Sequence, residues 1–375
     1  LSRSSLYSGK IKGTPARYCP SLEDKVARFP DRPRHLVVAE PEGLHTTELY
    51  LKGLGNSLPA EIQQELIQSV SGLESAEVVR PAYAIEYEFI EPTSLHRTLE
   101  SKLVQCLYLA GQINGTSGYE EAAAQGLWAG INAALAIKRL PPFVLDRSEA
   151  YIAVMIDDLI TRGVQEPYRM FTARSEYRLL LREDNAGARL LRKGLALGLI
   201  PRYLVEDLEC KQEKLQKNLY LLENIRVKPS DELNQLIRKK GGREIQGALS
   251  GLKLLKRSEI SIDDLIALRI LSSSLSQDER SDLEVMVKYE GYIERQRREA
   301  HQAARMDRML IPVDLDYNAI PGLSREIRER LSSVRPKSMG QLSRIPGITP
   351  AAITALMVRL RQKGRNACNE AYPAV

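Results

Sequence analysis

The segment 110–137, which is rich in small residues, is the part of this sequence best suited to hold a ligand. An apolar run ends at Gly111, a turn containing Gly115 follows, and a helix is predicted to begin at Ser117, where Ser117 and Glu120 have capping-box spacing. The free backbone N–H groups at such a helix start suit a phosphate or the electron-rich edge of a flat ring. Close packing of small residues is the alternative explanation, and spacing alone leaves both open.

A second candidate is Cys19, which lies in a predicted loop with Arg17 and Lys25 near it in sequence. Neighbouring cations lower the pKa of a thiol and favour the nucleophilic thiolate. The alternative is an inert apolar side chain, because the sequence offers no paired base. The four cysteines and four histidines are scattered without metal-ligand spacing, so no metal site is predicted.

A third candidate is the basic segment 169–194. Its seven basic residues outnumber three acidic ones, and Phe171 and Tyr177 lie between them. Arginines beside aromatic side chains suit phosphate and base contacts, which makes Arg174, Arg178 and Arg182 candidate nucleic-acid ligands. Networks of Arg and Glu that hold helices together are the alternative.

Composition and charge limit the possible classes of protein. The chain has 375 residues, of which 43% are hydrophobic and 27% charged, as in a globular protein of two to three domains. The uncharged stretch 122–137 is 16 residues, which is shorter than a membrane span. The net charge is +6, and residues 286–375 contain 16 basic and 9 acidic residues. This basic tail favours a polyanionic partner, although a solvated helical surface would have the same charge.

Strands and helices must position these candidates. Residues 35–40 and 77–90 are predicted strands, the second because apolar and polar residues alternate from Tyr83 to Phe89. Residues 105–111 are predicted to form another strand, with Cys106 in the core. Helices are predicted from Pro59 to Val70, from Pro20–Ser21 onward and after Gly111.

From residue 148 the pattern becomes helical. Helical periodicity covers much of 148–239 and 285–306, and further helices are predicted near 323–334, 338–345 and 349–364. Ile311-Pro312 is predicted to be a linker. The sequence therefore predicts a mixed α/β part followed by helical domains.

Several long motifs together resemble one known family. RYCPSLEDK, RPAYAIEYEF, AGQINGTSGYEEAAAQGLWAGINA, FTARSEYRLLLREDNA, KYEGYIERQ and SRIPGITPAAI occur in this order. The chain closely resembles the FAD-dependent tRNA uridine-5-carboxymethylaminomethyl modification enzymes, the MnmG/GidA family, over essentially its whole length. It lacks the GxGxxG segment with which the family begins, so it looks like a fragment covering roughly the C-terminal three-fifths.

The resemblance implies an activity and partners. Family members work in the cytoplasm with a GTPase, MnmE, in a complex of dimers. They add an aminomethyl or carboxymethylaminomethyl group to C5 of the wobble uridine of certain tRNAs, using FAD, NADH and a methylene-tetrahydrofolate carbon donor. By the family pattern, Cys19 is a candidate catalytic nucleophile or acid toward the uridine ring. As a nucleophile, its thiolate would add at C6 and make C5 nucleophilic.

The resemblance also implies ligand contacts. The FAD contacts correspond to Gly111, Gln112, Asn114 and Gly115. The NAD-binding segment corresponds to Pro15, Ala16, Arg17, Tyr18, Cys19, Pro20, Ser21, Leu22, Glu23, Asp24, Lys25, Val26, Ala27, Arg28 and Phe29. Pro15-Ala16 replaces the usual Gly-Pro of the family, which removes a glycine where the backbone approaches a ligand.

These expectations divide the chain into three domains. Residues 1–145 are the remaining part of a Rossmann-like FAD/NAD-binding α/β domain, 146–305 are a helical domain, and 306–375 are a C-terminal helical domain for partner and tRNA binding. A non-catalytic module that binds RNA and a partner is the alternative function, because the nucleotide-binding half is absent. A third possibility is a helix-hairpin-helix element for duplex binding at Ser343–Ile353.

Overall fold

The computed structural model describes residues 1–11, 20–272 and 274–371, with side chains described up to residue 360. The chain divides into two compact units. Unit 1 comprises Leu1–Pro142 and Asp158–Arg169, and unit 2 comprises Phe143–Asp157 and Met170–Val375. Each described helix is too short or too polar to span a bilayer.

Unit 1 combines helices with one β-hairpin. Its elements are α1 (Leu22–Arg28), β1 (Val38–Pro41), β2 (Leu49–Lys52), α2 (Ala60–Gln68) and α3 (Tyr119–Ile137), and α4 (Tyr151–Arg162) has residues in both units. The strands are antiparallel, with Val38 opposite Lys52. Helix α1 begins as predicted, because Oγ of Ser21 accepts a hydrogen bond from the N–H of Asp24 (3.1 Å).

The predicted strand over 77–90 is not formed, and this segment has no regular secondary structure. Tyr83 is 78% exposed and Ile85 is 49% exposed. Alternation of apolar and polar residues makes a strand only where a neighbouring strand completes the hydrogen-bond ladder. None of the described strands pairs with this segment.

The predicted strand over 105–111 is also wrong, and so is the core position of Cys106. Cys106 is exposed, has a φ of +62°, and donates its backbone N–H to Oε1 of Glu100 (2.8 Å). Ser101 N–H bonds the carbonyl of Leu107 (2.8 Å), which closes a tight turn. The apolar residues of this segment predicted a buried strand, but the chain forms a tight turn here instead of an extended strand.

Helix α3 packs on the core of unit 1 through Trp128. The indole is 1% exposed and donates to the carbonyl of Arg97 (2.8 Å). The helix begins one residue later than predicted: Gly118 is the N-cap, and no side chain caps the helix. The predicted capping box of Ser117 and Glu120 is therefore not formed.

Unit 2 is almost entirely helical. Its further elements are α5 (Ala186–Ala196), α6 (Tyr203–Asn224), β3 (Arg226–Val227), α7 (Asp231–Lys239), β4 (Leu249–Ser250), α8 (Gly251–Leu255), α9 (Ile262–Ala267), α10 (Gln277–Lys288), α11 (Glu290–Arg308), α12 (Arg325–Val334), α13 (Met339–Arg344) and α14 (Pro350–Ala371). The two-residue pairing of β3 with β4 is its small departure from an all-α unit. The predicted layout, mixed α/β and then helical, is confirmed.

Serine side chains define where many helices of unit 2 begin. Ser230, Ser261, Ser276, Ser324 and Ser338 each accept a hydrogen bond from a backbone N–H in the first helical turn. Such caps are each worth about 1 kcal/mol. These local signals explain why the helices near 323–334 and 338–345 could be predicted from sequence.

Two large apolar clusters form much of the interior of unit 2. The first joins buried side chains between Leu215 and Val287, and the second joins those between Ile311 and Leu356. The prediction of a linker at Ile311-Pro312 is wrong, because Ile311 is 5% exposed and its N–H donates to the carbonyl of Lys337 (2.9 Å). The start of the last segment is thus part of a core.

Candidate functional site

The predicted FAD-contact residues lie together in one tight turn. Gly111–Asn114 form a 3-10 turn, and Gly115 follows it. Gly111 and Gly115 have φ values of +85° and +77°, which residues with a Cβ rarely adopt. A Cβ on Gly115 would also lie 2.7 Å from Cγ2 of Val164. Both conformation and space therefore require glycine at position 115.

A buried hydrogen-bond network holds this turn against helix α3 through Gln125. Its Oε1 accepts from the backbone N–H of Gly111 (3.2 Å) and from Nδ2 of Asn114 (2.8 Å). Its Nε2 donates to Oγ1 of Thr116 (2.8 Å), which donates to the carbonyl of Gly111 (3.0 Å). Gln125 and Asn114 are fully buried. Both polar atoms of the Gln125 amide are therefore engaged in shaping the turn.

One polar atom of the network has no partner. No group among the described residues donates to Oδ1 of Asn114, although the side chain is fully buried. An unpaired buried carbonyl costs about 1–3 kcal/mol. The turn therefore fits a ligand that supplies a hydrogen-bond donor, as the ring system of a flavin does.

The N-terminus of α3 contributes less to an anion site than the sequence suggested. Glu120 and Glu121 lie in its first turn, where their charges already offset the positive end of the helix. Oε2 of Glu121 lies 3.5 Å from a guanidinium nitrogen of Arg169, and a Cβ on Gly118 would collide with this ion pair. The polar atoms of the turn, more than the helix dipole, therefore support ligand binding.

Gln112 points away from the buried network. Its side chain is exposed, whereas the residues Gly111 and Asn114 of the same turn are buried. It borders a small groove whose other lining residues are Tyr87, Phe89, Gly115, Thr116, Val164, Gln165, Glu166 and Pro167. The amide of Gln112 is therefore available to a ligand in this groove.

The predicted NAD segment is only partly described. Pro15, Ala16, Arg17, Tyr18 and Cys19 lie outside the described residues. Residues 20–29 contain α1, which is tied to a neighbouring loop by Leu22 N–H to Gly55 O (2.7 Å) and Lys25 Nζ to Gly53 O (2.8 Å). The ammonium group of Lys25 is thus engaged with a backbone carbonyl.

Glu23 anchors α1 from inside. The side chain is 2% exposed, and its Oε1 accepts from Ser57 N–H (2.7 Å), Ser57 Oγ (2.8 Å) and Ser4 Oγ (2.9 Å). Burial raises the pKa of this carboxyl group, but the hydrogen bonds from the Ser57 backbone and the two serine hydroxyls outweigh it. The pKa of Glu23 therefore lies below its ordinary value.

The basic segment is largely committed to contacts within the protein. Arg182 forms a two-pronged ion pair with Asp184 (3.0 and 2.9 Å), and Arg174 is half-buried. Arg178 is exposed and has no ion pair or hydrogen bond among the described residues. Others are paired: Arg169 with Glu121, Arg192 with Glu209 and Lys193 with Glu149. Of the three predicted nucleic-acid ligands, Arg178 is the most accessible.

Sequence reasoning missed a buried ion cluster in unit 2. Asp157 is 2% exposed and pairs with Arg147 (3.1 Å) and Arg344 (2.6 Å). Arg344 also pairs with Asp307 (2.9 Å). Burial by itself lowers the pKa of the Arg344 guanidinium, but the two carboxylates raise it above its ordinary value. The two consecutive aspartates in the apolar helix α4 were the signal for this cluster.

Three family models match the chain. Residues 1–141 match the family described as "Glucose inhibited division protein A". Residues 205–297 match the "tRNA modifying enzyme MnmG/GidA C-terminal helical domain", and residues 299–373 match the corresponding C-terminal helical bundle.

Curated proteins and solved structures are similar to nearly the whole chain. The tRNA uridine 5-carboxymethylaminomethyl modification enzyme of Syntrophobacter fumaroxidans is 54% identical over 96% of this chain, and that of Thermodesulfovibrio yellowstonii is 50% identical over 97%. Aquifex aeolicus GidA, in its form II crystal, matches 95% of the chain with a TM-score of 0.76 and 44% identity. The chain spans 56% and 58% of the length of the two curated relatives and 56% of that crystallised chain.

Proposed function

The chain belongs to the MnmG/GidA family, and on that premise we propose that it forms part of an enzyme that modifies C5 of the wobble uridine in tRNA. The product carries an aminomethyl or carboxymethylaminomethyl group. Support comes from the curated relatives, which are named as tRNA uridine 5-carboxymethylaminomethyl modification enzymes and match over 96% and 97% of this chain.

The observation that best supports a bound flavin is the turn at Gly111–Gly115. This turn fits the edge of a flat, polar ring. Its glycines have positive φ values, buried hydrogen bonds from Gln125 hold its shape, and Oδ1 of Asn114 is unpaired. Asn114 and Gln112 would hold the ring. When bound, FAD supplies the redox chemistry of the reaction.

We further propose that the segment Pro15–Phe29 binds NADH and that a methylene-tetrahydrofolate supplies the one-carbon unit. The described part of this segment supports the first proposal indirectly. Glu23 and Lys25 fix helix α1 at its inner side, which leaves the residues before it to contact a ligand. The folate donor rests on the family resemblance alone.

Cys19 is the proposed nucleophile. Its thiolate would add to C6 of the uridine ring, and the electron pair of the C5–C6 double bond would make C5 nucleophilic. C5 would then attack the methylene carbon of the folate iminium, whose C=N electron pair passes to the folate nitrogen. The C–N bond to folate breaks later, when an amine takes its place on that carbon. Loss of the C5 proton and departure of the thiolate restore the double bond, so the cysteine is regenerated.

The proposed setting is the cytoplasm, where the enzyme acts as a homodimer with an MnmE-type GTPase in a heterotetramer. The alternative of a non-catalytic RNA- and partner-binding module is not favoured by the names of the relatives. A helix-hairpin-helix contact around Ser343–Ile353 is also disfavoured, since Arg344 in this segment is committed to Asp157 and Asp307.

Nucleoside analysis of tRNA tests the proposed function. Cells whose own gene is replaced by the wild-type gene should contain the modified wobble uridine, and cells with Cys19→Ala should lack it. Cys106→Ala is the matched control, because it also removes a cysteine, but an exposed one that is not among the proposed site residues, and it should leave modification intact. Modified nucleoside at the wild-type level in the Cys19→Ala cells would contradict the nucleophile.

A further inference from the structure

Helix α11 carries a group of cations that have no partner within the described residues. Arg298, Arg305 and Arg308 are exposed, and none has an ion pair or hydrogen bond in that part of the chain. His301 on the same helix is also exposed. At about 100° per residue, these four positions fall within about 80° of the helix circumference. They form one row, here named the α11 stripe.

The acidic residues of α11 do not neutralise the stripe. Glu299 pairs with Arg295 (3.0 Å), and Asp307 pairs with the buried Arg344 (2.9 Å). Some other exposed arginines of unit 2 are paired: Arg325 with Glu329 (2.8 Å) and Arg202 with Glu206 (3.0 Å). Of the other two acidic residues of α11, Glu294 pairs with Arg297 (3.7 Å) and Glu290 with Lys256 (2.5 Å), so none of the four forms an ion pair with the stripe.

The stripe faces open space. His301 and Arg308 border a groove of about 1050 Å³ whose other walls come from α5, α6, α10 and the segments 146–149 and 179–185. Its acidic lining residues are Asp146, Glu149, Asp184, Asp207 and Asp282. The opposite side of α11 is the packed one, where Gln296 bonds the backbone N–H of Leu179 (3.0 Å) and Ala303 packs on the cluster around Val154. A large partner can therefore reach the stripe without any rearrangement of the helix.

We propose that the α11 stripe binds the phosphate backbone of RNA, an inference that rests on tRNA being the substrate. The row extends over about ten residues, or about 15 Å of helix. One strand of nucleic acid carries a phosphate about every 3.4 Å along its axis, so the stripe matches a run of phosphates along one strand. Arginine is well suited to such contacts, because its guanidinium group binds phosphate oxygens in pairs.

An acidic protein surface is the competing partner for such a stripe. A continuous row of cations along a single helix favours a linear polyanion. Protein interfaces of comparable size bury apolar anchor residues at their centre. The α11 stripe, defined by three arginines and a histidine, contains none.

The test compares two triple variants of the protein. In the stripe variant, Arg298, Arg305 and Arg308 become Gln. In the control variant, Arg202, Arg295 and Arg325 become Gln, which removes the same net charge from exposed arginines that already pair with a glutamate. Affinity for unmodified tRNA is measured from about 50 to 200 mM salt, and circular dichroism confirms that both variants are folded.

The stripe variant should bind tRNA at least about tenfold more weakly at the low-salt end, and the slope of log affinity against log salt should fall by about 2. The control should keep the wild-type slope. An unchanged slope in the stripe variant, or an equal loss in both variants, overturns the proposal. Loss of binding to the GTPase with an unchanged tRNA slope also overturns it and makes the stripe a protein interface. If the wild-type protein does not bind tRNA, the proposed function fails and this inference fails with it.

Discussion

At the scale of single residues, the candidate site depends on two glutamines with different tasks. Gln125 is fully buried and holds the backbone of Gly111 and the side chains of Asn114 and Thr116. Gln112 is exposed beside the groove. One therefore sets the shape of the turn, and the other is available to a ligand.

Substitution should separate these tasks. Gln125→Leu leaves the N–H group of Gly111 and the amide of Asn114 without partners and removes one of two hydrogen bonds of the Thr116 hydroxyl. We therefore expect a loss of about 2–4 kcal/mol in the free energy of unfolding. Gln112→Ala should change stability by less than about 0.5 kcal/mol but lower the flavin content. Denaturant unfolding and flavin absorbance per protein after gel filtration measure both effects. Full flavin content in Gln112→Ala would exclude Gln112 as a contact.

The buried carboxylate of Glu23 predicts a pH dependence of stability. Its pKa is lowered in the folded state, so its contribution is complete above the unfolded value of about 4.3 and is lost as pH falls through the folded value. Glu23→Gln should therefore flatten the decline of unfolding free energy below about pH 4.3. The exposed Glu65→Gln serves as control and should keep the wild-type slope. Equal slopes in all three proteins would contradict the argument.

At the scale of elements, the close approach of α11 and α13 depends on Gly340. A Cβ at this position would lie 2.0 Å from Oδ1 and 2.9 Å from the backbone N of Asp307. The backbone atom cannot move aside as a side chain can. This glycine thus allows Arg344, one turn further along α13, to reach Asp307.

Gly340→Ala should therefore destabilise the protein by about 2–4 kcal/mol, since overpacking also disturbs the ion pair. Gly291→Ala provides the opposite control. A Cβ on Gly291, in α11, would meet no atom of another element within 4 Å among the described residues, so alanine there should be neutral or stabilise by up to about 1 kcal/mol. Thermal unfolding of the two variants decides the point, and equal melting temperatures would refute the packing argument.

Elements with local signals were predictable and elements that need distant partners were not. Ser21, Ser324 and Ser338 mark helix starts in the sequence and in the structure. The alternation in 77–90 and the apolar residues of 105–111 predicted two strands that the structure does not contain. The predictions failed because sequence alone does not show which segment would complete the hydrogen-bond ladder. The glycines located the turn at Gly111–Gly115 correctly. The hydrogen bonds from Gln125 that hold this turn were not predicted, since the small-residue pattern of α3 does not indicate that one amide is buried against the turn.

At the scale of the whole molecule, the ion cluster around Asp157 connects parts of unit 2 that are far apart in sequence. Arg344 reaches Asp157 across 187 residues and pairs with Asp307 across 37. No residue pattern of short range could reveal this. Through this cluster, α13 contacts both α4 and α11, so the segment after Ile311 is tied to earlier parts of unit 2.

The ion cluster around Asp157 predicts that the two large apolar clusters of unit 2 unfold together. Removing one partner of a buried ion pair costs about 3–5 kcal/mol, so Arg344→Met should destabilise the protein by that amount. It should also uncouple the segment 311–356, which then exchanges its amide hydrogens at a lower free energy than 215–287. The control Arg325→Met removes an exposed pair of α12 and should cost less than about 1 kcal/mol. Hydrogen exchange resolved by segment makes the comparison. Separate exchange free energies for the two segments already in the wild-type protein would restore the linker interpretation and assign the cluster to local packing alone.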